Sequence, residues 1–267
     1  MIGILLLLLA VGPVWAGAWS QAKGHYYAKS SGIFYRADKV FDEMGKRRAL
    51  GMDHDRFESA QGFVYLEYGL RDRLTLLTQI SGGQLKAEND LLRKETAGIG
   101  DLELGFKYQL VAQPVVVSPS LSIKLPTGYH KAYDPPLGTG NTDLEVRLLL
   151  GRSLFPLPLY LGADAGYRRR GGQFSDQLSY GFEAGGSHGR VFAKVYVEGK
   201  QTLSGNQESS GEVGSIQVSE GDFAKAGVNL ALNLAGPVWV DLLVEGIFTG
   251  DNIGAGRSWG LGFAYRY

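Results

Sequence analysis

The sequence predicts an all-β fold, a 12-stranded antiparallel transmembrane β-barrel of the outer-membrane type, on three observations. Segments of roughly ten residues alternate apolar and polar groups with a period of two. The connections between them are alternately short and long. Glycine is abundant, at 39 of 267 residues, beside 14 Tyr, 12 Phe and 4 Trp; glycine is costly inside helices and frequent where strands turn or lie close together.

The period is clearest in "GIGDLELGFKYQL" (98–110), where Leu102, Leu104, Phe106, Tyr108 and Leu110 alternate with Asp101, Glu103, Lys107 and Gln109. Strands of this kind are expected in order along the chain. The first, Tyr26 to Arg36, is the least regular. Gly62 to Leu70 and Arg73 to Ile80 are joined by "RD"; Asp101 to Leu110 and Val115 to Leu125 by "VAQP"; Asp143 to Leu150 and Leu159 to Arg170 by "GRSLFPLP". Gln177 to Ala184 and Val191 to Lys200 follow around "GGSHGR", then Ala224 to Leu234 and Val238 to Phe248 around "AGP", and last Ser258 to Tyr267. The stretches 42–60, 84–97, 127–140 and 204–220 read as longer polar loops. Short turns at one end and long loops at the other, with an even strand count, suit a barrel in the outer membrane.

An alternating strand leaves open whether its apolar face meets a protein core or lipid. In lipid every backbone group needs a partner, so the sheet must close on itself. Aromatic placement favours lipid. Tyr68, Tyr108, Tyr265 and Tyr267 fall at the short-turn end of the apolar face, and Tyr167, Tyr180, Phe248 and Trp259 at the other. Two such girdles suit rings that prefer the headgroup level. The charged face then looks into a lumen. Glu67, Arg73, Asp101, Glu103, Lys107, Lys124, Glu145, Arg147, Asp164, Arg168, Glu183, Lys194, Glu198, Lys225, Asp241, Glu245 and Arg266 are expected there, as pore lining or as an ion-pair network that holds the barrel. Phe63, Tyr65, Tyr160, Tyr196 and Trp239 are the inner-face aromatics expected to contact an aromatic solute.

Lys plus Arg equals Asp plus Glu at 27 each, so overall charge recruits no nucleic acid. Cysteine is absent, which excludes disulfides, thiolate metal sites and a Cys nucleophile. The start, "MIGILLLLLAVGPVWAGAW", has an apolar run to Val11, a breaker at Pro13 and small residues at Ala16, Gly17 and Ala18. It reads as a secretory signal (1–18) cleaved after Ala16 or Ala18, although no Lys or Arg precedes the run. Residues 19–267 then form one barrel domain in the outer membrane of a Gram-negative bacterium. The aromatic last strand implies delivery by the barrel-assembly machinery, and the expected partners are the lipid bilayer, lipopolysaccharide and a small-molecule solute.

"YLEYGL" (65–70), "GIGDLELGFKYQL", "LSIKLPTG" (121–128), "PLGTGNTDLEVRLLLGRSL" (136–154) and "AGYRRR" (165–170) resemble the outer-membrane transporters grouped with the meta-pathway of phenol degradation. The resemblance spans most of the mature chain. It implies uptake of small aromatic compounds and supplies no catalytic or binding residues.

The sequence therefore points to a passive channel or transporter, with a plugged structural barrel and an outer-membrane lipid or ester hydrolase as rivals. The hydrolase would draw on His54, flanked by Asp53 and Asp55, or on His130 in "PTGYHKAYDPP". His25 and His188 fall at the short-turn end. No nucleophile-elbow spacing occurs, and "PLGTGN" lacks a phosphate-loop Lys. No catalytic residue, metal or cofactor is expected. Alternation sends Arg168 and Arg170 inward and Arg169 outward, where it could meet a lipopolysaccharide phosphate.

Overall fold

The computed structural model describes residues 17–50, 55–203 and 221–267. Residues 1–16, which hold most of the expected signal segment 1–18, together with Asp53, His54 and the predicted loop 204–220, lie outside the described residues. The strands are β1 (Tyr26–Ala37), β2 (Lys39–Phe41), β3 (Arg47–Ala49), β4 (Arg56–Arg71), β5 (Leu74–Glu88), β6 (Arg93–Tyr108), β7 (Val116–Pro126), β8 (Asp143–Ser153), β9 (Leu159–Arg169), β10 (Gln177–His188), β11 (Val191–Thr202), β12 (Phe223–Ala235), β13 (Val238–Gly250), β14 (Ile253–Gly254) and β15 (Arg257–Arg266). Twelve of them form a closed antiparallel barrel in which β1 pairs with both β15 and β4. The remaining three form a small sheet in the order β14, β2, β3.

The faces segregate as in a lipid-embedded barrel. Along β8, Val146 is 53% exposed and its neighbour Glu145 only 5%. Leu144, Leu148 and Leu150 share the exposed side. The same inversion recurs around the wall, with Val195, Val228, Leu242, Val244 and Leu261 outside. All eight girdle aromatics are exposed. At the short-turn end Tyr26 stacks on Tyr265 and Tyr267, at 5.7 and 5.6 Å. At the other end Phe34 stacks on Trp259 at 6.1 Å.

Three strands outrun the sequence reading: β4 starts at Arg56 inside the predicted loop 42–60, which also holds β3, and β5 and β6 extend into the predicted loop 84–97. The stretch 84–97 is a hairpin, with β5 paired to β6 from Glu88 and Arg93 downward. Its polar groups looked loop-like, but above the bilayer a strand needs no apolar outer face. Arg56–Glu88 at 3.0 Å, Lys86–Glu88 at 2.7 Å and Arg93–Glu95 at 2.6 Å decorate it instead. Arg73 corrects the expectation that it faces the lumen. It sits in the turn between β4 and β5 at φ 82°, exposed, because the two-residue link requires a left-handed position there.

Both ends of the lumen are covered. At the long-loop end an apolar cluster joins Tyr35, Phe57, Leu85, Phe223 and Ile247 of the wall to Phe41 of β2, Ile253 of β14 and Leu137 of loop 127–142. That burial holds the small β14-β2-β3 sheet against the wall at this mouth. Loop 127–142 is also tied to the wall by hydrogen bonds: the Tyr129 hydroxyl donates to Asp101 Oδ1 at 2.6 Å and Lys124 Nζ donates to Thr139 Oγ1 at 2.8 Å. Gly138 lets the loop pass against the Tyr129 hydroxyl, since a Cβ there would collide with it.

At the short-turn end the segment before β1 enters the barrel. Lys107 Nζ donates to the Gly17 carbonyl at 2.8 Å, Ser118 Oγ to the Ala18 carbonyl at 2.5 Å, and the Gln21 amide to Thr75 Oγ1 at 2.8 Å. Trp19 meets Tyr160 edge-on at 6.0 Å.

Replacing Leu242, 58% exposed and midway along β13, by Arg should destabilise the folded barrel in vesicles by about 2–4 kcal/mol. Urea unfolding followed by tryptophan fluorescence measures this. An unchanged midpoint would mean that the exposed apolar face is not in lipid.

Candidate lumen site

Between the two closures lies a cavity of about 680 Å³. One wall, from β1 and β4, is largely neutral and carries Ser31, Ile33, Ser59, Gln61 and Phe63. The facing wall, from β9 to β12, carries Asp164, Glu183, Lys194, Tyr196, Glu198, Lys200 and Lys225. Strand alternation sets this up: every second residue of "LYLGADAG", "GFEAGG" and "VFAKVYVEGK" points inward, and the polar ones share that parity.

The inward charges are paired in networks. Lys124 bridges Asp101 at 2.8 Å and Asp143 at 3.1 Å. Arg168 lies directly across from Glu145 in the β8–β9 register and pairs with it, and also reaches Glu103 at 3.8 Å. Ser122 Oγ donates to Glu103 Oε1 at 2.9 Å. Arg147 pairs with Glu145 at 2.7 Å and with Asp164. Further round the wall, Lys194 holds Glu183 at 2.9 Å, and Lys225 holds Glu198 at 2.8 Å and Glu245 at 2.9 Å. At the short-turn end Lys107 pairs with Glu67 at 3.0 Å. Glu67 also accepts from the Tyr65 hydroxyl at 2.6 Å and from Gln21 Nε2 at 2.8 Å. Arg266 lines the cavity beside them.

The aromatics predicted to meet solute separate into two places. Phe63, Tyr65 and Tyr196 line the cavity, with the Tyr196 hydroxyl donating to Glu245 Oε2 at 2.6 Å. Tyr160 and Trp239 belong to a cluster with Phe192, Ala231 and Trp19. There Tyr160 stacks on Phe192 at 6.3 Å.

Sequence reasoning missed four contributors. Lys29 pairs with Asp241 at 2.8 Å, but "YYAKSSGIFYRA" has a Ser-Ser-Gly centre that hides its facing. Its register partners Tyr65 and Ala264 place it inside. Trp19 and Gln21 precede the first strand and carry no periodic signal. Lys200 shares the inward parity of Lys194 and Glu198, which could have identified it.

The described histidines, His25, His130 and His188, lie apart from the cavity. His130 Nδ1 accepts from the Ala132 amide at 3.2 Å within its loop, His25 lies against Tyr267, and His188 ends β10 exposed. Among the described residues no group of three His, Asp or Glu is placed to hold a metal. Arg170 turns inward over the Phe174 ring, 4.5 Å from its centroid, and Arg169 is exposed.

Lys124→Met would leave the buried Asp101 and Asp143 carboxylates without their cation. Removing one partner of a buried pair costs about 3–5 kcal/mol, and urea unfolding should show a loss of that order. The double substitution with Asp143→Asn should recover part of it.

No family model matches this sequence, and no curated protein matches it. Solved structures do match the fold. An outer membrane channel from Pseudomonas putida F1 superposes with a TM-score of 0.74 at 15% identity, covering 96% of this chain and all of that one. The translocator domain of the autotransporter NalP from Neisseria meningitidis gives a TM-score of 0.56 at 10% identity over 93% of this chain and 90% of that chain. The KdgM porin gives 0.54 at 9% identity over 88% and 99%. At these identities the likeness is one of architecture: the chain has the closed antiparallel barrel fold of outer-membrane proteins.

Proposed function

We propose that the chain is an outer-membrane channel for the passive passage of small solutes, and not an enzyme. The observation that carries this reading is a cavity lined by charged side chains inside a barrel whose exterior is apolar. Solute size and charge would be selected by the paired Arg, Lys, Asp and Glu side chains of the wall. The cavity aromatics Phe63, Tyr65 and Tyr196 support passage of aromatic compounds, in keeping with the resemblance to transporters grouped with phenol degradation. Tyr160 and Trp239 would act near the short-turn exit, beside Trp19. In this reading the leader is removed after Ala16 or Ala18, the barrel-assembly machinery inserts the chain, and Arg169 faces lipopolysaccharide.

The hydrogen-bonded segment 17–22 and the apolar cluster at the opposite mouth favour a second reading, a plugged structural barrel. Passage requires at least the segment to move. Single-channel recording with the purified full-length protein separates the two. Trp19→Ala with Gln21→Ala should raise conductance above the native level, and Arg147→Ala with Arg168→Ala should shift selectivity toward cations. A barrel silent in all three forms, and without solute uptake in liposome swelling, is the plugged one.

A further inference from the structure

We propose that the long-loop half of the lumen is a binding site for the anionic group of a small aromatic or apolar acid, with Lys200 as its counter-ion. The proposal rests on the reading of the lumen as a solute path and names the solute's chemistry. Lys29, Lys107, Lys124, Arg147, Arg168, Lys194 and Lys225 each hold a carboxylate of the barrel. Lys200 lines the same cavity, and among the described residues its ammonium makes neither a hydrogen bond nor an ion pair, with Glu145 and Glu198 acting on it only through space.

The carboxylates within its electrostatic reach are already engaged: Glu198 with Lys225, and Glu145 with Arg147 and Arg168. Arg168 of β9, two strands away, and Arg170 just beyond the end of β9 add positive charge. An ammonium held there without a partner is unfavourable, and an incoming anion supplies what the wall does not.

The surroundings choose the rest of the ligand. Phe223 faces Lys200 directly across the β11–β12 register. Tyr35 and Phe57, 6.0 Å apart edge to face, form the underside of the apolar cluster and line the cavity with Ile33. The Tyr35 hydroxyl is spent on the Gly254 carbonyl at 2.9 Å, so this residue offers mainly its ring. An apolar ceiling above an unpaired cation fits a ring or short hydrocarbon bearing one carboxylate. A cationic solute would meet the like charge of Lys200.

Equilibrium dialysis of the full-length protein in detergent, with naphthoate and the uncharged naphthalenemethanol as probes, tests this without requiring passage. It therefore fails or succeeds independently of conductance. Native protein should bind naphthoate in preference to the alcohol. Lys200→Met should weaken naphthoate by about tenfold or more, the scale of one charge-assisted hydrogen bond, and leave the alcohol unchanged. Lys200→Arg should retain naphthoate, and unheated gel mobility verifies that both variants are folded. Equal naphthoate binding by native and Lys200→Met protein, or none by the native protein, overturns the proposal.

Discussion

Closure of the backbone hydrogen-bond ring is the constraint on which the rest depends. Hydrocarbon offers no partner to an exposed N–H or C=O, so a sheet that presents Val146, Val195, Leu242 and Leu261 to lipid cannot keep an edge. The pairing of β1 with β15 on one side and β4 on the other removes it. Once the ring is closed, strand alternation leaves no choice about the interior. Every second residue points into a lumen of twelve strands, wider than an eight-stranded barrel that side chains fill and narrower than an open sixteen-stranded porin.

That lumen explains the density of ion pairs. Charges removed from bulk water need partners, and the register supplies them: Glu145 lies opposite Arg168, and Glu198 opposite Lys225. Opposite charges at facing positions also favour the correct register, because a one-residue slip would carry them to the lipid face. The networks thus hold the wall and shape the cavity at once. Lys200 stands apart because its strand neighbours are committed elsewhere.

The two closures differ in physical kind. The long-loop mouth is covered by burial of Phe41, Leu137 and Ile253 against wall residues, a contribution that grows with apolar area at roughly 25 cal/mol per Å². The short-turn mouth is covered mainly by hydrogen bonds from the segment 17–22, each worth only about 0.5–1.5 kcal/mol net because water can replace it. Trp19 is its one large apolar anchor. The segment is therefore the more readily displaced of the two, and the path for solute depends on it more than on the opposite cluster.

The local period of two determined much of this protein. It showed which residues are strands, which face of each is apolar, and that Asp101, Lys124, Glu145 and Arg168 share an interior, because side-chain direction in a strand is fixed by parity alone. Parity fails where the backbone leaves the strand, as at the left-handed Arg73 turn, and it is hard to read where small polar residues blur the alternation, as the Ser-Ser-Gly centre of β1 does around Lys29. Partner choice, the capture of Trp19 and Gln21 within the lumen, the small sheet at one mouth and the isolation of Lys200 were decided only by tertiary structure. They arise from contacts between residues far apart in the chain, and no local repeat encodes which of those surfaces meet.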